Sequence, residues 1–374
     1  MADGSELGRA FVRWRPPKHL LSGPLAAYGL VIGLTAICAG VAYLEIARPP
    51  PLIEEAAAAT AVPVPRPVNS LKLPFRRPRP LDFRMLTLAE RDDMIEVTPD
   101  GLRLPKISSN GWMPWIAYSR RYDPDSPAAR VGLMIINVGA NEALMTRVID
   151  ELPGEVSLAF LPGTPDLPRW MKRAHAQNHE TYLMMPIEDP EGIAERGIRP
   201  IVPKASGEEN VKRLREAMAR GEGYVGFVMP NPGPVSQSEE IARPLVQEIA
   251  DRGLGLIEIN PGPTPSAMYR LATDLGVGYA RTSTVLDYKL ANNGGLDGNL
   301  DRMAEWAGEA WPGRPARHDF GVLQPDNAAI DAIVAWRQRL TTQNTVSLVP
   351  IIGHFECRTA CMTRLRVQPD QLRP

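Results

Sequence analysis

From residue 131 onward the chain alternates short apolar runs with amphipathic ones. The runs are VGLMIIN (131–137), VSLAF (156–160), TYLMM (181–185), YVGFVM (224–229), LGLIEI (254–259), VGYA (277–280), DFGVL (319–323) and VSLVPI (346–351). Each has the length of a buried parallel strand, which needs apolar residues on both faces rather than strict alternation. The stretches between them carry helix-start signals: Thr164 before Pro165-Asp166, Ser206 with Glu209 three residues on, and Ser236 with Glu239 in the same relation. Asn178, Gly221 and Gly253 stand where those helices should stop. About eight such βα units closing on themselves make a barrel; an open doubly wound sheet is the second reading.

The N-terminal third has a different pattern. No charged residue occurs from Leu20 to Leu44, and about 20 apolar residues cross a bilayer as a helix. The run is too long for the apolar region of a cleavable leader and lacks a clear small-x-small site, so it is expected to stay as a single-pass anchor. Arg9, Arg13, Arg15 and Lys18 precede it, whereas Arg48 beside Glu45, Glu54 and Glu55 follows it. Positive charge inside places residues 1–19 in the cytoplasm and the main domain in the periplasm, with the helix in the inner membrane. Residues 45–80 contain PPP, VPVPRP and RRPRP, a linker composition that cannot bury a core and tends to extended polyproline II. Residues 81–128 read as an extension packed on a barrel of residues 129–352, and 353–374 as a tail. In the extension, Trp112, Trp115 and Tyr118 form either a sugar-stacking strip or the contacts that pin it to the barrel.

A net charge of -1, with basic residues scattered, excludes a nucleic-acid-binding field. Cys357 and Cys361, in ECRTAC, could form a local disulfide in an oxidising compartment. No Gly-rich phosphate loop and no Gly-x-Ser-x-Gly elbow is present. Of five histidines, His175 and His179 have the i, i+4 spacing of a helical zinc pair, but Asn178 breaks the helix between them. Glu180, Glu188 and Asp189 are either a carboxylate cluster or solvated loop charges.

The motifs themselves resemble the divergent polysaccharide deacetylase family of proteobacterial envelope proteins. NHETYLMMPIED matches that family's Gly-His-Glu-x-x-x-His-Leu-Pro-Met-Glu through His179, Glu180, Pro186 and Glu188; GYVG at 223–226, Val-Leu-Asp at 285–287 and the closing LVP match as well. The resemblance implies a distorted (β/α) barrel and a metal-dependent carbohydrate deacetylase, whose chemistry needs a metal-activated water and a carboxylate base. The residues that would carry it differ here. Where the first strand should end in paired aspartates stand Asn137-Val138-Gly139; Met184 replaces the second histidine of the third-strand motif, Pro230 the histidine after the fourth strand, and Gly321-Val322-Leu323 a Gly-His-Pro. The expectation is a barrel without metal or other cofactor that binds cell-wall glycan or an envelope protein. The alternatives are a deacetylase with a relocated site and a pure protein-interaction module. Asn137, His179, Glu180, Glu188 and Asp287 are the candidate pocket residues.

Overall fold

The computed structural model describes residues 93–109, 111–122, 128–188, 197–230, 233–260, 262, 264–287, 295–309, 318–343 and 346–356, all within a compact unit spanning residues 76–374. The expected anchor, the linker, Asp189, Cys357 and Cys361 lie outside the described residues. No helix among the described residues is long and apolar enough to cross a membrane.

All eight apolar runs are strands. They are β3 (Ala129–Val138), β4 (Ser157–Phe160), β5 (Thr181–Met184), β6 (Gly226–Met229), β7 (Gly255–Ile259), β8 (Tyr279–Thr282), β10 (His318–Leu323) and β11 (Val346–Leu348). The sequence pattern missed three short strands: the antiparallel hairpin β1 (Ile95–Val97) and β2 (Arg103–Pro105), and β9 (Thr284–Val285). The main sheet is parallel, in the order β8-β7-β6-β5-β4-β3-β10-β9. Since Ser283 alone separates β8 from β9, the two ends of this path are one piece of chain and the sheet closes on itself. Thr282 seals the join: its hydroxyl donates to the Phe320 carbonyl at 2.5 Å, and the Thr284 hydroxyl donates to Asp319 Oδ2 at 2.7 Å. This is a (β/α) barrel rather than an open sheet. VSLVPI is not a full stave; β11 pairs only with the start of β3.

The intervening helices are α2 (Glu142–Glu151), α3 (Leu167–Ala176), α4 (Gly207–Met218), α6 (Glu239–Asp251) with the single turn α5 (Pro234–Gln237) before it, α7 (Ala267–Leu275), α8 (Gly295–Gly308) and α9 (Asn327–Gln343). Ser206 caps α4 as read, its side chain accepting from Glu209 N. Thr164 does not cap α3: its hydroxyl donates to the Leu161 carbonyl at 2.7 Å, and the helix begins three residues later, after a left-handed Asp166. Ser236 lies inside α5 and accepts from Gly233 N, so α6 starts after Ser238 instead. Asn178 (φ 66) and Gly253 (φ 62) take the left-handed conformation that ends a helix, whereas Gly221 stands two residues past the C-cap of α4.

Alternation along the strands sorts the core into two layers. Leu133, Ile135, Leu158, Phe160, Leu183, Phe227 and Leu256 pack outward against helix residues such as Trp170, Leu214, Leu245 and Leu271. Met134, Ala159, Tyr182, Met184, Val228, Ile257, Ile259, Ala280, Phe320 and Val322 fill the lumen. Two terminal segments close the floor, the end where the strands begin. From the N-terminal side come Trp112, Met113, Trp115 and Tyr118, all buried, on and beside the short helix α1 (Pro114–Ala117). From the C-terminal side comes a 3-10 turn, Ile351–His354, followed by Phe355 and Glu356, whose N–H donates to the Tyr279 carbonyl.

Candidate functional site

In a parallel barrel the chemistry gathers at the C-terminal ends of the strands. β3 carries a bulge there: Ile135 pairs with Leu158 but Val138 with Phe160, so three steps on β3 match two on β4, and Asn137 absorbs the extra residue at φ 56. Val138 is then turned into the outward layer and Ile136 packs with the lumen. β3 therefore ends at Asn137-Val138 as read, but the residue that packs with the lumen there is Ile136 and not Val138. The amide of Asn137 has no charge to hold a metal and no basicity at neutral pH; the alkyl chain of Ile136 has no donor atom.

The ends of β5, β7 and β10 are apolar too. Met184 faces the lumen at 2% exposure, Val322 at 0% and Ile259 at 3%. Pro230 follows β6 directly. A thioether is a poor zinc ligand, and alkyl groups and proline are none. Among the described residues no three His, Cys, Asp or Glu side chains cluster in a way that could hold a metal ion. The described residues at this mouth do not fit a divalent metal centre.

The five candidate residues are not one pocket. His179 is fully buried at the floor, with Nδ1 2.7 Å from the Val156 carbonyl and Nε2 3.0 Å from the Ile149 carbonyl. Both ring nitrogens face backbone acceptors, and burial lowers the affinity of the ring for a proton. Its partner in the i, i+4 spacing, His175, bonds Thr181 Oγ1 at 2.9 Å and is lowered by burial to about 4. Glu180 is also fully buried at the floor. Its Oε1 accepts from Arg120 N at 3.0 Å; its Oε2 accepts from Ser157 Oγ and Tyr182 Oη, each at 3.0 Å, and from Ile352 N at 3.3 Å. Burial outweighs these donors and pushes the carboxyl up to about 7. Glu188 lies past the other end of β5, exposed, its N–H bonded to the Ile201 carbonyl. Asp287 is exposed too, Oδ2 accepting from Gln324 N at 3.0 Å. Glu180 stands immediately before β5 and Met184 ends it, four residues apart, about 13 Å at the ordinary strand rise. Within the NHETYLMMPIE block, the polar residues that match the motif before the strand belong to the floor, and the residue that departs from it belongs to the mouth.

Two other buried carboxylates escaped the sequence reading. Glu258, whose neighbours along β7 point into the lumen, itself points outward: Oε2 accepts from Ser266 Oγ and Tyr279 Oη, both at 2.5 Å, and burial raises its pKa. Glu248 bridges Arg215 and Arg252, and Arg252 in turn reaches the Pro105 carbonyl at 2.8 Å, joining α4 and α6 to the β1–β2 hairpin. A cleft of about 770 Å³ runs beside this network, bounded by Thr98, Asp100, Lys212 and Pro244. Both carboxylates brace helices against the barrel wall, and neither reaches the lumen.

Fold and mouth together define a nearly closed parallel α/β barrel with apolar side chains at the ends of β5, β7 and β10. Residues 133–352, more than half of the chain, match the family model of divergent polysaccharide deacetylases, and the chain belongs to that family. Among solved structures it is similar to an uncharacterized protein from Agrobacterium tumefaciens C58, at 22% identity and a TM-score of 0.58, covering 67% of this chain and 99% of that one. More distant are a GH20 catalytic module of the pneumococcal exo-β-D-N-acetylglucosaminidase StrH (11% identity, TM-score 0.37, 67% and 88% covered) and an HpcH/HpaI aldolase from Desulfitobacterium hafniense DCB-2 (12%, 0.23, 58% and 94%). Comparison with curated protein sequences finds no match.

Proposed function

We propose that this protein is a catalytically inactive member of its family, anchored in the inner membrane by residues 20–44 with the barrel in the periplasm, and that it works by binding. The observation that carries this reading is the mouth: Ile136, Met184, Pro230 and Val322 stand where hydrolysis would need a base and metal ligands. A relocated site built from His179, Glu180, Glu188 and Asp287 has no support from the geometry, because the first two lie at the floor and the last two beyond it at the mouth.

Among the possible ligands, the apolar side chains that stay partly exposed there, Ile136 and Pro230, favour an envelope protein over a cell-wall glycan. Sugar hydroxyls brought against alkyl groups lose their hydrogen bonds to water, at about 1–3 kcal/mol for each group left unpaired. An apolar side chain from a protein partner has no such loss.

The test uses the full chain in detergent micelles. Acetate release from N-acetylated chitooligosaccharides, with and without added zinc or cobalt, should stay at the level of a protein-free blank, and oligosaccharide titration should give no saturable heat. In-cell crosslinking through residues beside the mouth should capture a membrane or periplasmic protein. Metal-dependent turnover would overturn the reading. Saturable oligosaccharide binding without turnover would move the ligand from protein to glycan.

A further inference from the structure

We propose that the two terminal segments over the barrel floor act as one coupled latch, so that loosening the C-terminal segment (351–356) loosens the N-terminal one (112–120), and the reverse. Two contacts join them directly. The first is Glu180, whose two carboxylate oxygens are divided between the segments: Oε1 takes the N–H of Arg120, and Oε2 takes that of Ile352. Withdrawing either donor leaves a buried carboxylate with one partner fewer, which weakens the position it shares with the other segment. The second is an aromatic stack. The Phe355 and Trp115 rings lie 5.6 Å apart at 22°, and both press on Gly278, where an added Cβ would lie 2.9 Å from Phe355 and 3.2 Å from Trp115. Phe355 also covers Gly255, where a Cβ would lie 2.6 Å from its ring. The absence of a side chain at 255 and 278 is what admits the two rings beneath the strands.

The side chain of Arg120 fixes the same corner from a third direction, donating to the Asn178 carbonyl at 3.1 Å and to Glu155 at 3.3 Å. The Asn178-His179-Glu180 triplet is therefore the knot of the floor. Asn178 ends α3, His179 ties the end of α2 to the turn before β4, and Glu180 holds both terminal segments. The described structure enters the latch from Asp93 through its N-terminal half and ends at Glu356 in its C-terminal half.

Coupling of this kind is reciprocal, and that gives the test. Amide hydrogen exchange of the full chain is followed for residues 112–120 and 351–356 in the wild type, in Trp115→Ala and in Phe355→Ala. Each substitution should raise the exchange of the opposite segment by roughly 5-fold or more and leave amides at the mouth end of β5 and β6 unchanged. Because both substitutions remove the stack itself, Tyr182→Phe serves as a second variant: its hydroxyl bonds neither segment but gives one donor to Glu180, and its loss should loosen both together. Exchange that rises only in the substituted segment, or a Tyr182→Phe protein in which the two segments respond independently, would overturn the coupling.

Discussion

Replacing Met184 with histidine restores one expected ligand of the family's metal site and probes the mouth directly. Met184 is 2% exposed among lumen side chains that are almost all apolar. A neutral imidazole brings one N–H donor and one nitrogen acceptor into that space, and each unpaired group costs about 1–3 kcal/mol. The ring carbons recover part of the methionine's burial, so a net destabilisation of about 3 kcal/mol is expected. For a domain of this size that is a fall in Tm of about 6–12 °C. Zinc decides between the two accounts of the site. A competent site would bind zinc, and saturation at 1,000 times Kd would return about 4 kcal/mol, enough to reverse the loss. With apolar side chains such as Ala159, Val228 and Ile257 sharing its lumen cluster, the new imidazole has no second ligand among the described residues, and zinc should leave the Tm of Met184→His where it was. The assay is thermal unfolding followed by circular dichroism, at several zinc concentrations, for the wild type and the variant. A zinc-dependent rise in Tm confined to the variant, or a variant as stable as the wild type, would refute the reasoning.

Phe355→Ala removes a half-buried ring stacked on Trp115, and should destabilise by about 2–3 kcal/mol, less than the 3–5 of a fully buried phenylalanine, as read from urea midpoints. Burial holds His354 at about 3, well below the ordinary histidine value of 6.5. A histidine depressed in the folded state contributes stability above pH 6.5 that is lost as pH falls toward 3, because only the unfolded chain takes up the proton. The urea midpoint of His354→Leu should accordingly fall less than that of the wild type between pH 6.5 and 4.5, with a difference in slope of about 1.4 kcal/mol per pH unit at most. Parallel slopes for the two proteins would contradict this.

The fold was largely legible because buried parallel strands announce themselves as short apolar runs, and all eight runs became strands. What escaped were features set by tertiary contact. The β1–β2 hairpin has three residues per strand, too few to show a period. Thr164 and Ser236 look like caps in one dimension, yet each hydroxyl finds a nearer backbone partner. Asn137 has the composition of a strand end, but its left-handed turn shifts by one residue which side chains meet the lumen. The division of NHETYLMMPIE between floor and mouth is equally invisible in a linear string: the neighbours His179 and Glu180 serve the floor, and four residues later Met184 lines the mouth end.

The central claim, that the strand ends hold no metal chemistry, is tested most directly by the metal content and activity of the full chain purified without chelator. The account predicts far less than one zinc per chain and no acetate released from N-acetylated chitooligosaccharide above blank. One tightly held zinc per chain, with turnover lost on chelation and regained on adding zinc, would contradict it.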